Sequence, residues 1–130
     1  KYYAKKYLEE KYGDWAVEYG TVNQKSWDIK VCREKSQILF QVKSTSLFNV
    51  SRKLSKLQKG IDQLIVINLD GDFFPFQAYL FEEVENLFSK SSYPVLTTPN
   101  PDNKKQKGSK AFEQARNIYQ EFFESLANNL

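Results

Sequence analysis

The chain has 130 residues, 41% hydrophobic and 15% aromatic, the size of one domain that can bury a single core without disulfides or a structural metal. It holds no His and one Cys, Cys32, which excludes Ser-His-Asp and Cys-His nucleophile schemes, disulfides and Cys-rich zinc sites, and leaves oxygen-ligated hard cations as the metals to consider. Net charge is only +3, yet no acid falls between Lys43 and Gly60, which hold Arg52, Lys53, Lys56 and Lys59, and Lys104, Lys105, Lys107 and Lys110 face only Asp102; each stretch is either solvated surface or a phosphate-tracking one.

Tyr3, Ala4, Tyr7, Leu8 and Tyr12 recur at helical spacing and stop at Gly13, which predicts an amphipathic helix. Trp15 to Tyr19 reads as a strand, and Asn23 to Ser26 as a turn. In a second strand, Trp27 to Cys32, Trp27, Ile29 and Val31 share one face and Asp28 points the other way. Arg33 to Ser36 makes a hairpin into a third strand, Gln37 to Lys43, with Gln41 and Lys43 alternating along its end. Ser51 caps a short basic helix, Arg52 to Lys59, stopped by Gly60. Leu64 to Ile67 is a continuous apolar run, the pattern of a buried central strand. After a turn at Leu69 to Asp72 come a strand, Phe76 to Phe81, and a helix from about Glu82 to Ser89. Residues 90 to 108 hold Pro94, Pro99 and Pro101 and read as an irregular connection. A long amphipathic helix capped by Ser109 closes the chain and should bury Ile118, Phe122 and Leu126. The sum is an α/β layer arrangement, a central mixed five-stranded sheet flanked by helices on both faces.

Polar residues inside strands are the ones that need a reason. Asp28 has low strand propensity and is costly to desolvate unless it is exposed or binds something. The hairpin brings Val31 near Leu39 or Ile38, and Asp28 near Gln41 to Lys43. A carboxylate, an amide and an amine then converge at one end of the sheet, either as an ion pair on an exposed edge hairpin or as a site. Asp70-Gly71-Asp72 resembles a fragment of a calcium loop but lacks the other ligands and reads as a hairpin turn. Ser44-Thr45-Ser46 has no His partner and reads as loop, and Cys32 as a small buried hydrophobe.

Trp27-Asp28-Ile29, followed by Gln41-Val42-Lys43-Ser44 on the next strand behind an N-terminal helix, resembles the core of the PD-(D/E)xK nuclease superfamily. It is most similar to the branch with Gln in place of the acid, as in Mrr-type restriction endonucleases, with the match running from residue 1 to about 81. The resemblance implies a restriction-endonuclease-like core and metal-dependent hydrolysis of phosphodiester bonds. Asp28, Gln41 and Val42, the last through its carbonyl, would ligate Mg²⁺ or alternatively Mn²⁺, and Lys43 would act beside the reacting phosphate. Gln41 supplies no charge, so another acid is expected. In this superfamily it often sits on the first helix, where Glu10 is favoured over Glu9; the family position falls around or before Lys1, and Glu18 is the other substitute.

The expected partner is nucleic acid, DNA ahead of RNA, tracked by Lys43, Ser44, Arg52, Lys53, Lys56, Lys104, Lys105 and Lys107, with no membrane. Residues 1–130 are expected to form one nuclease-like domain cut from a longer cytoplasmic chain, as a homodimer or fused to other domains, since there is no Met, no signal peptide and no run of about 20 apolar residues. The setting expected is a restriction, defence or toxin system. Two other readings stay open: a catalytically inactive nucleic-acid-binding module of the same fold, and a protein-interaction domain docking through its aromatic C-terminal helix.

Overall fold

In the computed structural model, residues 1–21, 27–46, 53–54, 60–88, 94–99, 105 and 108–128 are described. Helix α1 (Tyr2–Tyr12) buries Ala4, Tyr7 and Leu8, the stripe set by the apolar spacing, and ends at Gly13, whose φ of 43° suits a residue without a Cβ. Strands β1 (Ala16–Tyr19), β2 (Ile29–Arg33) and β3 (Ser36–Ser46) follow as an antiparallel meander. Val31 pairs with Ile38 and Ile29 with Phe40, the register the hairpin requires. β5 (Gln63–Leu69) then runs parallel to β3, and β6 (Pro75–Phe81) returns antiparallel.

The main sheet has six strands rather than five, in the order β1-β2-β3-β5-β6-β8. The sixth, β8 (Arg116–Asn117), lies inside the stretch whose periodicity predicts one long helix. Without it β6 would be an edge with open backbone groups. Asn117 and Arg116 pair with Tyr79 and Leu80, and Ile118 N–H donates to the Ala78 carbonyl at 3.0 Å. The predicted helix is accordingly split into a 3₁₀ turn (Lys110–Gln114), β8, a π-helical segment (Tyr119–Phe123) and α2 (Glu124–Asn128). Ile118 is buried as expected, but Phe123 takes the second buried place while Phe122 and Leu126 are partly exposed.

Nor, among the described residues, do α-helices cover both faces. One face packs α1, Ile118 and Phe123 against Ile29, Phe40, Ile65 and Leu80. The other carries a second cluster built on Leu64, Val66, Phe81, Leu96 and Phe112. Its cover is a two-stranded sheet, β4 (Lys53–Leu54) with β7 (Leu96–Thr97), and the 3₁₀ turns Val84–Phe88 and Lys110–Gln114. Lys53 and Leu54 are thus strand where a basic helix is expected, because their backbone pairs with Thr97 and Leu96; the rest of that segment apart from Gly60 lies outside the described residues. Among the described residues, no helix is long and apolar enough to cross a membrane.

Candidate active site

β2 begins at Ile29, and Asp28 stands just before it, where the strand pairing ends. Its N–H donates to the Phe40 carbonyl at 2.8 Å, and its own carbonyl accepts the Gly20 N–H at 2.8 Å. One carboxylate oxygen, Oδ2, accepts the Val42 N–H at 2.8 Å, so the side chain replaces a strand partner on β3. The other, Oδ1, lies 3.2 Å from the Lys1 ammonium at the start of α1. That helix has no acidic residue of its own in its first turn, and the Lys at its start pairs with this carboxylate instead.

Alternation along β3 buries Phe40 on the α1 side and turns Gln41 and Lys43 to the opposite face. There they pair with Leu64 and Val66 of β5. Gln41 is buried and its side chain is engaged, while Lys43 is partly exposed. Asp28 is therefore held by the residue between Gln41 and Lys43. Asp62 locks the start of the same strand, its Oδ2 accepting the Leu39 N–H at 2.8 Å and its N–H donating to the Leu39 carbonyl at 2.9 Å.

The remaining predicted residues fall elsewhere. Glu10 is exposed, nine positions along α1 from Lys1 or roughly 13 Å by the helical rise, so it does not join Asp28. Glu18 is exposed on β1, its Oε2 3.4 Å from the Lys30 Nζ. Ser44 is exposed one residue beyond Lys43, and Lys105 is exposed. Arg52, Lys56, Lys104 and Lys107 lie outside the described residues, as do the side-chain surroundings of Lys53. A cavity of about 690 Å³ is lined by Phe81, Glu82, Glu83, Lys110 and Glu113 among others, and by none of Asp28, Gln41 and Lys43.

Two features escape the sequence reading. Lys1 has no signal in a pattern where an acid is expected. A buried row also crosses three strands beyond Lys43. The Thr45 hydroxyl donates to Asn68 Oδ1 at 2.5 Å, the Asn68 amide to Gln77 Oε1 at 2.6 Å, and the Gln77 amide to the Pro99 carbonyl at 3.2 Å. Asn68 directly follows the apolar run of β5, which is the signal that could have flagged it.

The donor set permits a hard cation at its lowest charge. Among the described residues, no group of three or more His, Cys, Asp and Glu side chains comes together; a cation here would have Asp28 as its anionic donor, with Gln41 and Val42 as the neutral oxygens nearest in the chain. Mg²⁺ commonly keeps several waters and is held by one or two carboxylates plus substrate phosphates, and one carboxylate meets that requirement.

No family model and no curated protein matches the chain. Solved structures do match; among them, the bacterial homing endonuclease I-Ssp6803I aligns over 98% of this chain and 91% of that chain, with a TM-score of 0.46 and 14% identity.

Proposed function

We propose that the chain is a metal-dependent nuclease domain of the PD-(D/E)xK type in its Gln variant, hydrolysing phosphodiester bonds of DNA. The observation that carries this reading is the bond from the Val42 N–H to Asp28. It holds the Asp28 carboxylate on the backbone of the Gln41-Val42-Lys43 stretch, which supports a site that draws its anionic oxygen from Asp28 and its other groups from that stretch. Mg²⁺, when bound through Asp28 with the neutral oxygens of Gln41 and Val42, would polarise the phosphate and acidify a bound water. Asp28 supplies the anionic oxygen that would hold the ion, and Lys43 orients the attacking water or offers its ammonium to the nonbridging oxygens as negative charge grows on them. Water adds to phosphorus, the ester oxygen leaves, and a phosphomonoester and an alcohol result. The basic stretches at 52–59 and 104–110 would track the backbone without reading sequence. A cytoplasmic restriction, defence or toxin setting, and a homodimer or a fusion to other domains, complete the proposal.

A second reading, an inactive nucleic-acid-binding module of the same fold, is favoured by one observation: the Lys1 ammonium stands at Asp28 Oδ1, where a cation would bind. Incubating the purified chain with plasmid DNA and with RNA, each with Mg²⁺, with Mn²⁺ and with a chelator, separates the two. Metal-dependent nicking of DNA is expected. Binding of DNA without cleavage under every metal supports the second reading.

A further inference from the structure

The turn between β5 and β6 displays an aromatic ring in a conformation that L residues avoid. Phe73 has φ 65°, an outlier for a bulky side chain, and it is 70% exposed, with Phe74 beside it at 39%. The turn contains a glycine, Gly71, but the left-handed position falls on Phe73 instead. Local bonds hold the shape: Phe73 N–H donates to the Asp70 carbonyl at 3.0 Å, and Asp70 N–H to the Phe74 carbonyl at 2.7 Å. Asp70 Oδ1 accepts from the N–H groups of Asp72 and Phe74 at 2.8 and 3.0 Å. The ring is mostly outside the core while its backbone is held in a costly conformation, a combination that motivates a role at the surface.

Topology puts the turn at the same end of the sheet as the end of β3. The two strands are parallel, Lys43 pairs with Val66, and Ser46 pairs with Leu69, the last residue before the turn. Lys43 is thus three residues, roughly 10 Å, back along the sheet. Asp70 spends one carboxylate oxygen on backbone amides, while Asp72 is exposed and repels phosphate; what remains attractive at the tip is the face of an aromatic ring.

We propose that Phe73, supported by Phe74, is a stacking platform for an unpaired nucleobase of the strand whose phosphodiester lies at Lys43; this deepens the nuclease reading and rests on it. Aromatic stacking on bases tolerates any sequence, so the platform would favour single-stranded or splayed nucleic acid over closed duplex.

The test compares the intact chain with Phe73→Gly and Phe73→Trp, measuring affinity at low salt for a labelled single-stranded oligodeoxynucleotide and for an abasic sugar-phosphate strand of the same length. Phe73→Gly should melt at or above the wild-type temperature, because it relieves the backbone, and should lose roughly 5- to 150-fold in affinity for the base-bearing strand. Phe73→Trp should retain that affinity, and all three proteins should bind the abasic strand equally. Unchanged affinity in Phe73→Gly, an equal loss on the abasic strand, or a lower melting temperature would each overturn the platform while leaving the nuclease reading standing. Failure of the intact chain to bind either strand would overturn the platform, while the nuclease reading stands or falls with the plasmid-cleavage assay.

Discussion

The two oxygens of Asp28 are held by partners of very different permanence. Val42 N–H is part of a central strand and cannot leave, whereas Lys1 is 58% exposed on its side chain, and an ion pair that open to water contributes about 0–1 kcal/mol. A divalent cation can therefore displace it. Lys1→Ala should tighten Mg²⁺ or Mn²⁺ binding up to about 5-fold, the equivalent of that ion pair, as read by calorimetric titration; weaker binding would mean that Lys1 helps to build the site rather than competing for it. Deeper in the protein, the Tyr7 hydroxyl is buried without a partner among the described residues. Burial, aided by Glu121, pushes its pKa up to about 12. A raised Tyr pKa means that the unfolded chain loses its proton first, so the contribution to stability is complete below pH 10 and is lost as pH rises to about 12. Tyr7→Phe removes this loss. Denaturant unfolding from pH 9 to 12 should show the variant gaining on the wild type as pH rises, and a constant difference would contradict the assignment. Asp28, Gln41 and Lys43 are legible in the sequence because each interrupts an apolar alternation. Tyr7 shows only its apolar body, and the orphaned hydroxyl appears only once its neighbours are placed.

Among the elements, those with strong local periodicity are the ones the sequence reveals: α1, the β2–β3 hairpin, and β5 with its apolar run. The C-terminal stretch has an equally good helical period from Ala111 to Ala127, yet Ala115 is extended, at φ −77° and ψ 144°, and Arg116 and Asn117 close the edge of β6. A need located on another strand overrides local pattern there, and no local signal reports it. The same holds at Lys53–Leu54, where pairing with β7 replaces a helical turn. The row from Thr45 through Asn68 to Gln77 makes the cost of such long-range satisfaction measurable. Asn68→Ala strands a buried hydroxyl and a buried amide oxygen at about 1–3 kcal/mol each. The variant should lose about 2–6 kcal/mol in denaturant unfolding, and a loss below about 1 kcal/mol would show that the row closes up without its central member.

Across the whole molecule the main sheet divides two cores of different make. One side is closed by α1 and the C-terminal segment, and the other by a small second sheet and 3₁₀ turns. The face that carries Gln41 and Lys43 is the second, and the strand pairing that holds Lys53 lies against that cluster through Leu96. The candidate chemistry, the start of one basic stretch and the cover of one core are thereby assembled around β3 and β5. Asp28→Asn isolates the chemistry from this assembly. The Asn carbonyl can still accept the Val42 N–H and the lost ion pair is open to water on its Lys1 side, so melting should shift by only a few degrees. Single-turnover cleavage of DNA with Mg²⁺, run on the wild-type chain, Asp28→Asn and Lys43→Ala purified in parallel, is the most direct test. No cleavage by Asp28→Asn and a loss of at least about 10²-fold in Lys43→Ala are expected; wild-type rates in either folded variant would contradict a metal-dependent site at Asp28 and Lys43.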